Sequence, residues 1–152
     1  MTRAAFIGLI LAVGAPFAAP FAARAGTPPG TPLVTAQKPW IRYLLPNIPA
    51  AAYMTLRNTG SADAVLTGAA SPDCGALMLH KSEDKSGMAM MMAVPKITIP
   101  AGGEVALAPG GYHLMCMQPK MKLGEHVPVS LKFADGSTVL LVLPVYGPAG
   151  PS

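Results

Sequence analysis

The sequence predicts an all-β domain, an antiparallel β-sandwich, and three observations carry that expectation. Ten short apolar runs follow one another between residues 34 and 146. Strong turn sequences separate them, and no segment sustains a helical period with caps at its ends. Runs of strand length at regular spacing over about 110 residues are the pattern of two packed sheets. A small closed barrel is the second choice of architecture.

In order, the runs are Val34–Tyr43, Ala51–Asn58, Ala64–Ala70, Ala76–His80 and Met88–Val94, followed by Lys96–Ile99, Glu104–Ala108, Tyr112–Met117, Val127–Phe133 and Thr138–Val145. Asn58-Thr-Gly60 closes the second run, because Asn and Gly adopt the backbone angles that tight turns need. Lys81-Ser-Glu-Asp-Lys-Ser-Gly87 reads as a polar loop that begins where His80 ends the fourth run. Pro100-Ala-Gly-Gly103 and Pro109-Gly-Gly111 break the chain on either side of the seventh. Asp135-Gly136, between Phe133 and Thr138, predicts a hairpin joining the last two strands. There is no internal repeat. The folded domain is therefore placed at 34–146, after a flexible Gly- and Pro-rich lead-in at 26–33. The tail, 147–152, is expected to be disordered.

Residues 1–25 read as a secretory signal peptide. Arg3 supplies the basic tip, an apolar core runs from Ala4 to about Val13, and Ala23-Arg24-Ala25 is a small-residue cleavage site. Pro16 and Pro20 interrupt the segment, which argues against a membrane span of roughly 20 unbroken apolar residues. No cysteine for lipidation follows the apolar core. Cleavage after Ala25 sends the mature chain to the periplasm as a soluble, monomeric protein. It leaves nine basic against seven acidic residues, a net charge of +2. That charge is too weak and too dispersed for nucleic acid or a membrane surface as partner. In the oxidising compartment that export implies, Cys74 and Cys116, 42 positions apart, are expected to pair as a disulfide.

Catalytic apparatus is lacking. The three histidines (80, 113 and 126) and seven carboxylates match no triad spacing. The sequence holds no Gly-x-Ser-x-Gly elbow, phosphate loop or dinucleotide fingerprint. The Gly-Gly pairs at 102–103 and 110–111 precede strands, not helices, and are turns. The chain is expected not to be an enzyme.

The methionines point to chemistry. Met88, Met90, Met91 and Met92 crowd one segment, and Met115 and Met117 flank Cys116, whereas ordinary cores use Met sparingly. Imidazole with thioether is a soft, neutral donor set suited to Cu(I). A thioether cannot be lost to a disulfide and needs no deprotonation, so only the histidines make binding depend on pH. On a strand, residues two apart share a face, so His113, Met115 and Met117 project together while Leu114 and Cys116 turn inward. The Lys81–Gly87 loop returns the chain from His80 to the Met cluster. His126, beside Glu125 in a polar turn, reads as merely solvated.

His80, ten intervening residues, Met91, twenty-one more, His113, one more and Met115 together resemble the H-x10-M-x21-H-x-M signature of the periplasmic CuA copper chaperones, written PCu(A)C. The flanks are similar as well: Ala51-Ala-Tyr-Met-Thr-Leu-Arg-Asn-Thr-Gly60, Ile99-Pro-Ala-Gly-Gly103, Pro109-Gly-Gly-Tyr-His-Leu-Met115 and Val127-Pro-Val-Ser-Leu-Lys-Phe133. The likeness covers roughly Ala36 to Val145.

The resemblance implies a cupredoxin-like, Greek-key sandwich with one exposed Cu(I) site. Its ligands would be His80, Met91, His113 and Met115; the flanking Met88, Met90 and Met117 are read, from their position beside these, as auxiliaries for copper entry or exit. It also implies delivery of copper to the CuA centre in subunit II of cytochrome c oxidase, or exchange with another copper chaperone. The Cys74/Cys116 pair lies outside that motif, and the Met- and His-rich tail of some relatives is absent. Three other readings compete. They are copper buffering without a dedicated acceptor, a thiol-disulfide reductant using Cys74 and Cys116, and a metal-free β module. The reductant reading is weakened by the wide spacing of the pair, since working dithiols sit close in sequence.

Overall fold

The computed structural model describes residues 33–152. The signal peptide read at 1–25, and the lead-in up to residue 32, lie outside the described residues. Ten strands and no helix make up the described fold. They are β1 (Val34–Arg42), β2 (Ala50–Asn58), β3 (Ala64–Ala70), β4 (Ala76–Lys85), β5 (Met88–Ala93), β6 (Ile97–Ile99), β7 (Glu104–Leu107), β8 (Tyr112–Met117), β9 (His126–Phe133) and β10 (Thr138–Tyr146).

The strands are laid in the order β5-β4-β8-β7-β2-β1-β10-β9-β3-β6, and β8 also pairs directly with β2. The β5-to-β1 half and the β10-to-β6 half are the two layers of a cupredoxin-like β-sandwich. Neighbours such as β3/β9 and β4/β8 are distant in sequence, which is the Greek-key mark. Pairing is antiparallel at all but two places. Ile41 and Arg42 of β1 meet Val145 and Tyr146 of β10 in parallel and join the layers. Leu107 of β7 meets Tyr112 of β8 in a single parallel pair. β7 and β8 occupy successive stretches of β2, opposite Met54–Arg57 and Ala50–Ala52 respectively. They are in effect one strand position broken by the Pro109-Gly-Gly111 turn.

Alternation explains the core. Ala50, Ala52, Met54 and Leu56 of β2, with Leu114 and Cys116 of β8, point between the layers. They meet Leu66, Leu131, Leu143 and Ile99 from the other sheet, all of them fully buried. Burying a side chain of this size contributes roughly 1.5–3 kcal/mol. Buried Asn58 ends β2: its Nδ2 donates to the carbonyls of Ala62 and Ile99, and its Oδ1 accepts from Gly60 N–H.

The structure differs from the sequence reading at two places. The fourth run does not stop at His80: β4 continues to Lys85, and Lys81–Lys85 pairs with Met88–Met92. The hairpin turn is only Ser86 and Gly87, both at positive φ (56° and 81°), as a two-residue hairpin requires. Backbone pairing with β5 carries most of this arm beyond the sandwich, so its side chains need not alternate between apolar and polar. At the other end, residues 147–152 do not trail away. Gly150 N–H donates to Gly147 C=O, and a Cβ at Gly150 would stand 2.9 Å from the Trp40 ring, so the backbone packs on the indole.

Candidate metal centre

The outer face of the β5-β4-β8-β2-β1 layer holds the candidate ligands in adjacent rows. His80 on β4 lies directly opposite His113 on β8, and the two ring centroids are 5.8 Å apart. Met115, two residues beyond His113, follows on the same face. On the other flank His80 opposes Ala93 of β5, and Ser82 opposes Met91. An unbroken register puts Met91 on the His80 face, one row toward the tip of the arm. The ladder thus sets the two imidazoles side by side on one face, with Met115 one row to one side and Met91 one row to the other.

The imidazoles are prepared to bind something. His113 is 3% exposed. Its Nδ1 lies 3.1 Å from the carbonyl oxygen of Gly111, and because a carbonyl only accepts, Nδ1 carries the proton. Nε2 is left with its lone pair, buried and without a partner, and both nitrogens of His80 are buried and unpartnered too. Buried polar atoms are rarely left unsatisfied, and three in two facing rings call for a cation. A backbone carbonyl fixing the far nitrogen is the usual support for a metal-binding histidine. Burial, and then the positive charge His113 can carry, lower the His80 pKa. This keeps it neutral, the form a metal needs.

Among the described residues, no three His, Cys, Asp or Glu side chains converge. Next to His80 and His113 the soft donors on the same face are thioethers, a donor type that disfavours hard cations and suits Cu(I).

The ring of His113 rests against Tyr53, with centroids 6.4 Å apart, and Tyr53 packs on Trp40 at 4.9 Å. Strand alternation sets Tyr53 on the outer face, yet it is only 3% exposed, because Trp40 and the Arg42 guanidinium cover it. Burial raises the Tyr53 pKa, with Arg42 pulling partly the other way. A small aromatic cluster outside the main core thus holds one imidazole from the side.

Residues 34–145 match the family model described as LpqE-like. The protein belongs to the LpqE-like family. Lxx21020 of Leifsonia xyli subsp. xyli, which carries the name of a lipoprotein, is 38% identical to this LpqE-like chain over 115 residues, 74% of this chain and 69% of that one. Apo-DR1885 of Deinococcus radiodurans is similar in structure at a TM-score of 0.58, with 36% identity over 93% of this chain and 97% of its own. The Cu(I) form of DR1885 gives a TM-score of 0.59 and 38% identity, covering 82% and 83%. The copper-bound PCuAC domain from PmoF2 shares the fold, with a TM-score of 0.64 at 24% identity over 76% of this chain and 94% of that domain.

Within the LpqE-like domain, the remaining predicted residues fall on different sides. Met88, Met90 and Met92 alternate with Met91 and lie opposite Lys85, Glu83 and Lys81. They form the back of the arm, away from His80. Met117 shares the ligand face but stands opposite Ala76, roughly 13 Å along the strand from His113. Exposed His126 opens β9, far from the site in the strand order. Sequence reading overlooked Met78, which lies directly opposite Met115 on the ligand face. The period-two argument applied to His113 and Met115, if applied backward from His80, would have found it. Cys74 and Cys116 are joined, tying the segment before β4 to the inner side of β8. All four candidate ligands lie in the loop that this bond closes.

Proposed function

We propose that this LpqE-like protein is a copper chaperone that binds one Cu(I) at His80, Met91, His113 and Met115 and yields it to an acceptor outside the cytoplasm. The observation that carries the reading is the pair of facing imidazoles with unpartnered buried nitrogens, flanked by thioethers on the same face and joined, among the described residues, by no third His, Cys, Asp or Glu. Similarity to DR1885, whose Cu(I) form is known, supports it. The disulfide, the leader-like N-terminus and the lipoprotein name of one relative support export. Among the described residues no helix is long and apolar enough to cross a membrane.

The donor set explains why copper would be held and yet released. Two neutral imidazoles and two thioethers bring no anionic charge, so a cysteine-bearing acceptor can displace them one at a time through shared-ligand intermediates. The metal stays Cu(I) throughout, and no thioether takes up or loses a proton. The CuA centre of cytochrome c oxidase subunit II is the acceptor we propose. The chain acts by ligand exchange, not as an enzyme. That is supported by the position of Cys116, which is joined to Cys74 and 1% exposed.

Cu(I) X-ray absorption on the mature domain tests the site and should report two nitrogen and two sulfur neighbours. A deletion strain tests the errand. Loss of oxidase activity restored by added copper supports delivery, whereas copper sensitivity with normal respiration would replace it with buffering.

A further inference from the structure

Three thioethers, not two, stand within reach of the imidazole pair. Met78 and Met115 face each other across β4 and β8, in the row next to His80 and His113. Directly opposed residues on antiparallel strands have Cβ atoms about 5 Å apart, and two steps along a strand cover about 7 Å. Met78 is therefore placed toward His80 as Met115 is toward His113. The four residues form a rectangle of two imidazoles and two thioethers on two neighbouring strands. Met91 lies outside that rectangle, on the far side of His80.

The two flanking thioethers are held very differently. β5, which carries Met91, is the end strand of its layer and has no buried residue. Met91 itself is 58% exposed, against 39% for Met78. Met78 belongs to β4, which is paired on both sides, to β5 and to β8. An edge strand with little apolar burial opens at low free-energy cost, so the Met91 sulfur is the ligand that leaves most easily. The Met78 sulfur is the nearest replacement.

We propose that Met78 is an exchange ligand. When Met91 releases Cu(I), the Cu–S bond to Met91 breaks and one to Met78 forms. The ion remains Cu(I), no proton moves, and two nitrogens and two sulfurs are kept while the arm side of the metal opens to an incoming thiolate. This inference rests on the Cu(I) reading of the site.

The test uses the mature, disulfide-bonded protein and its Met78→Leu, Met91→Leu and doubly substituted forms. Thermal unfolding without metal confirms that each folds. Cu(I) X-ray absorption on Met91→Leu should still count two sulfurs, and the double variant only one. In competition with a Cu(I) chelator, the double variant's loss should exceed the product of the single losses by about tenfold, the size of a direct coupling. With Ag(I) as the d10 probe and methyl-labelled methionine, the Met78 methyl resonance should move, most of all in Met91→Leu. One sulfur in Met91→Leu with an unmoved Met78 methyl would overturn the exchange role and leave the Cu(I) site standing. A wild-type protein that binds neither Cu(I) nor Ag(I) would overturn the reading beneath it.

Discussion

At the scale of single residues, alternation along β5 decides which methionine matters. Met91 shares a face with His80, and Met90 does not. Met115→Leu should weaken Cu(I) binding in a chelator competition, while Met90→Leu should leave the affinity as it is. Equal losses from both would show that thioether density, not the face, governs binding. His80 contributes to the pH dependence of stability. Its folded pKa is lowered by burial and by His113, so the unfolded chain takes up the proton first, near pH 6.5. Stability should be level above that pH, fall as pH drops below it, and level off once folded His80 is also protonated. Copper affinity should fall as folded His80 takes up its proton, since a protonated imidazole cannot ligate. Denaturant titrations and chelator competition across pH 5–8 check both limbs.

At the scale of elements, the hairpin arm of β4 and β5 sets where Met91 stands. Gly87 has φ 81° and empty space around the missing Cβ, so only backbone strain opposes a side chain there. Gly87→Ala should destabilise the turn by about 1 kcal/mol and speed amide exchange in the arm without slowing it in the core. The strands of the sandwich were legible because each buries one face, so apolar residues recur with period two and glycine or proline marks the ends. Val127–Phe133 and Thr138–Val145 fall within a residue of their observed limits for that reason. The outer half of β4 was not legible. Lys81-Ser-Glu-Asp-Lys85 buries no side chain fully and owes its strand form mainly to pairing with β5, and pairing leaves no mark in composition. Tyr53 escaped notice similarly, since its burial comes from Trp40 and Arg42, distant in sequence. The proposed metal face was readable where two candidate ligands share a strand, as His113 and Met115 do, and unreadable across strands, where register alone sets His80 against His113 and Met78 against Met115.

At the scale of the whole molecule, copper and the disulfide both act on stability. A ligand that binds only the folded chain stabilises it by RT ln(1 + [L]/Kd), about 4 kcal/mol at a thousandfold excess over Kd. Thermal unfolding should therefore shift upward with added Cu(I), and less so in Met115→Leu. Replacing Cys74 and Cys116 with alanine removes the only covalent link between distant parts of the described chain. It should cost about 2–5 kcal/mol in a denaturant titration. That bond also has a subtractive effect. Thiolates bind soft metals readily, and before oxidation Cys116 stands between Met115 and Met117 on the strand that carries half the ligands. Closing the disulfide withdraws two rival donors and leaves the weaker, exchangeable imidazole and thioether donors of the proposed site. On the proposed function, oxidation before metal loading favours the exchangeable site. A reduced chain refolded with Cu(I) should be caught with thiolate-bound metal that exchanges slowly and blocks the disulfide, whereas the oxidised chain given the same ion should release it readily.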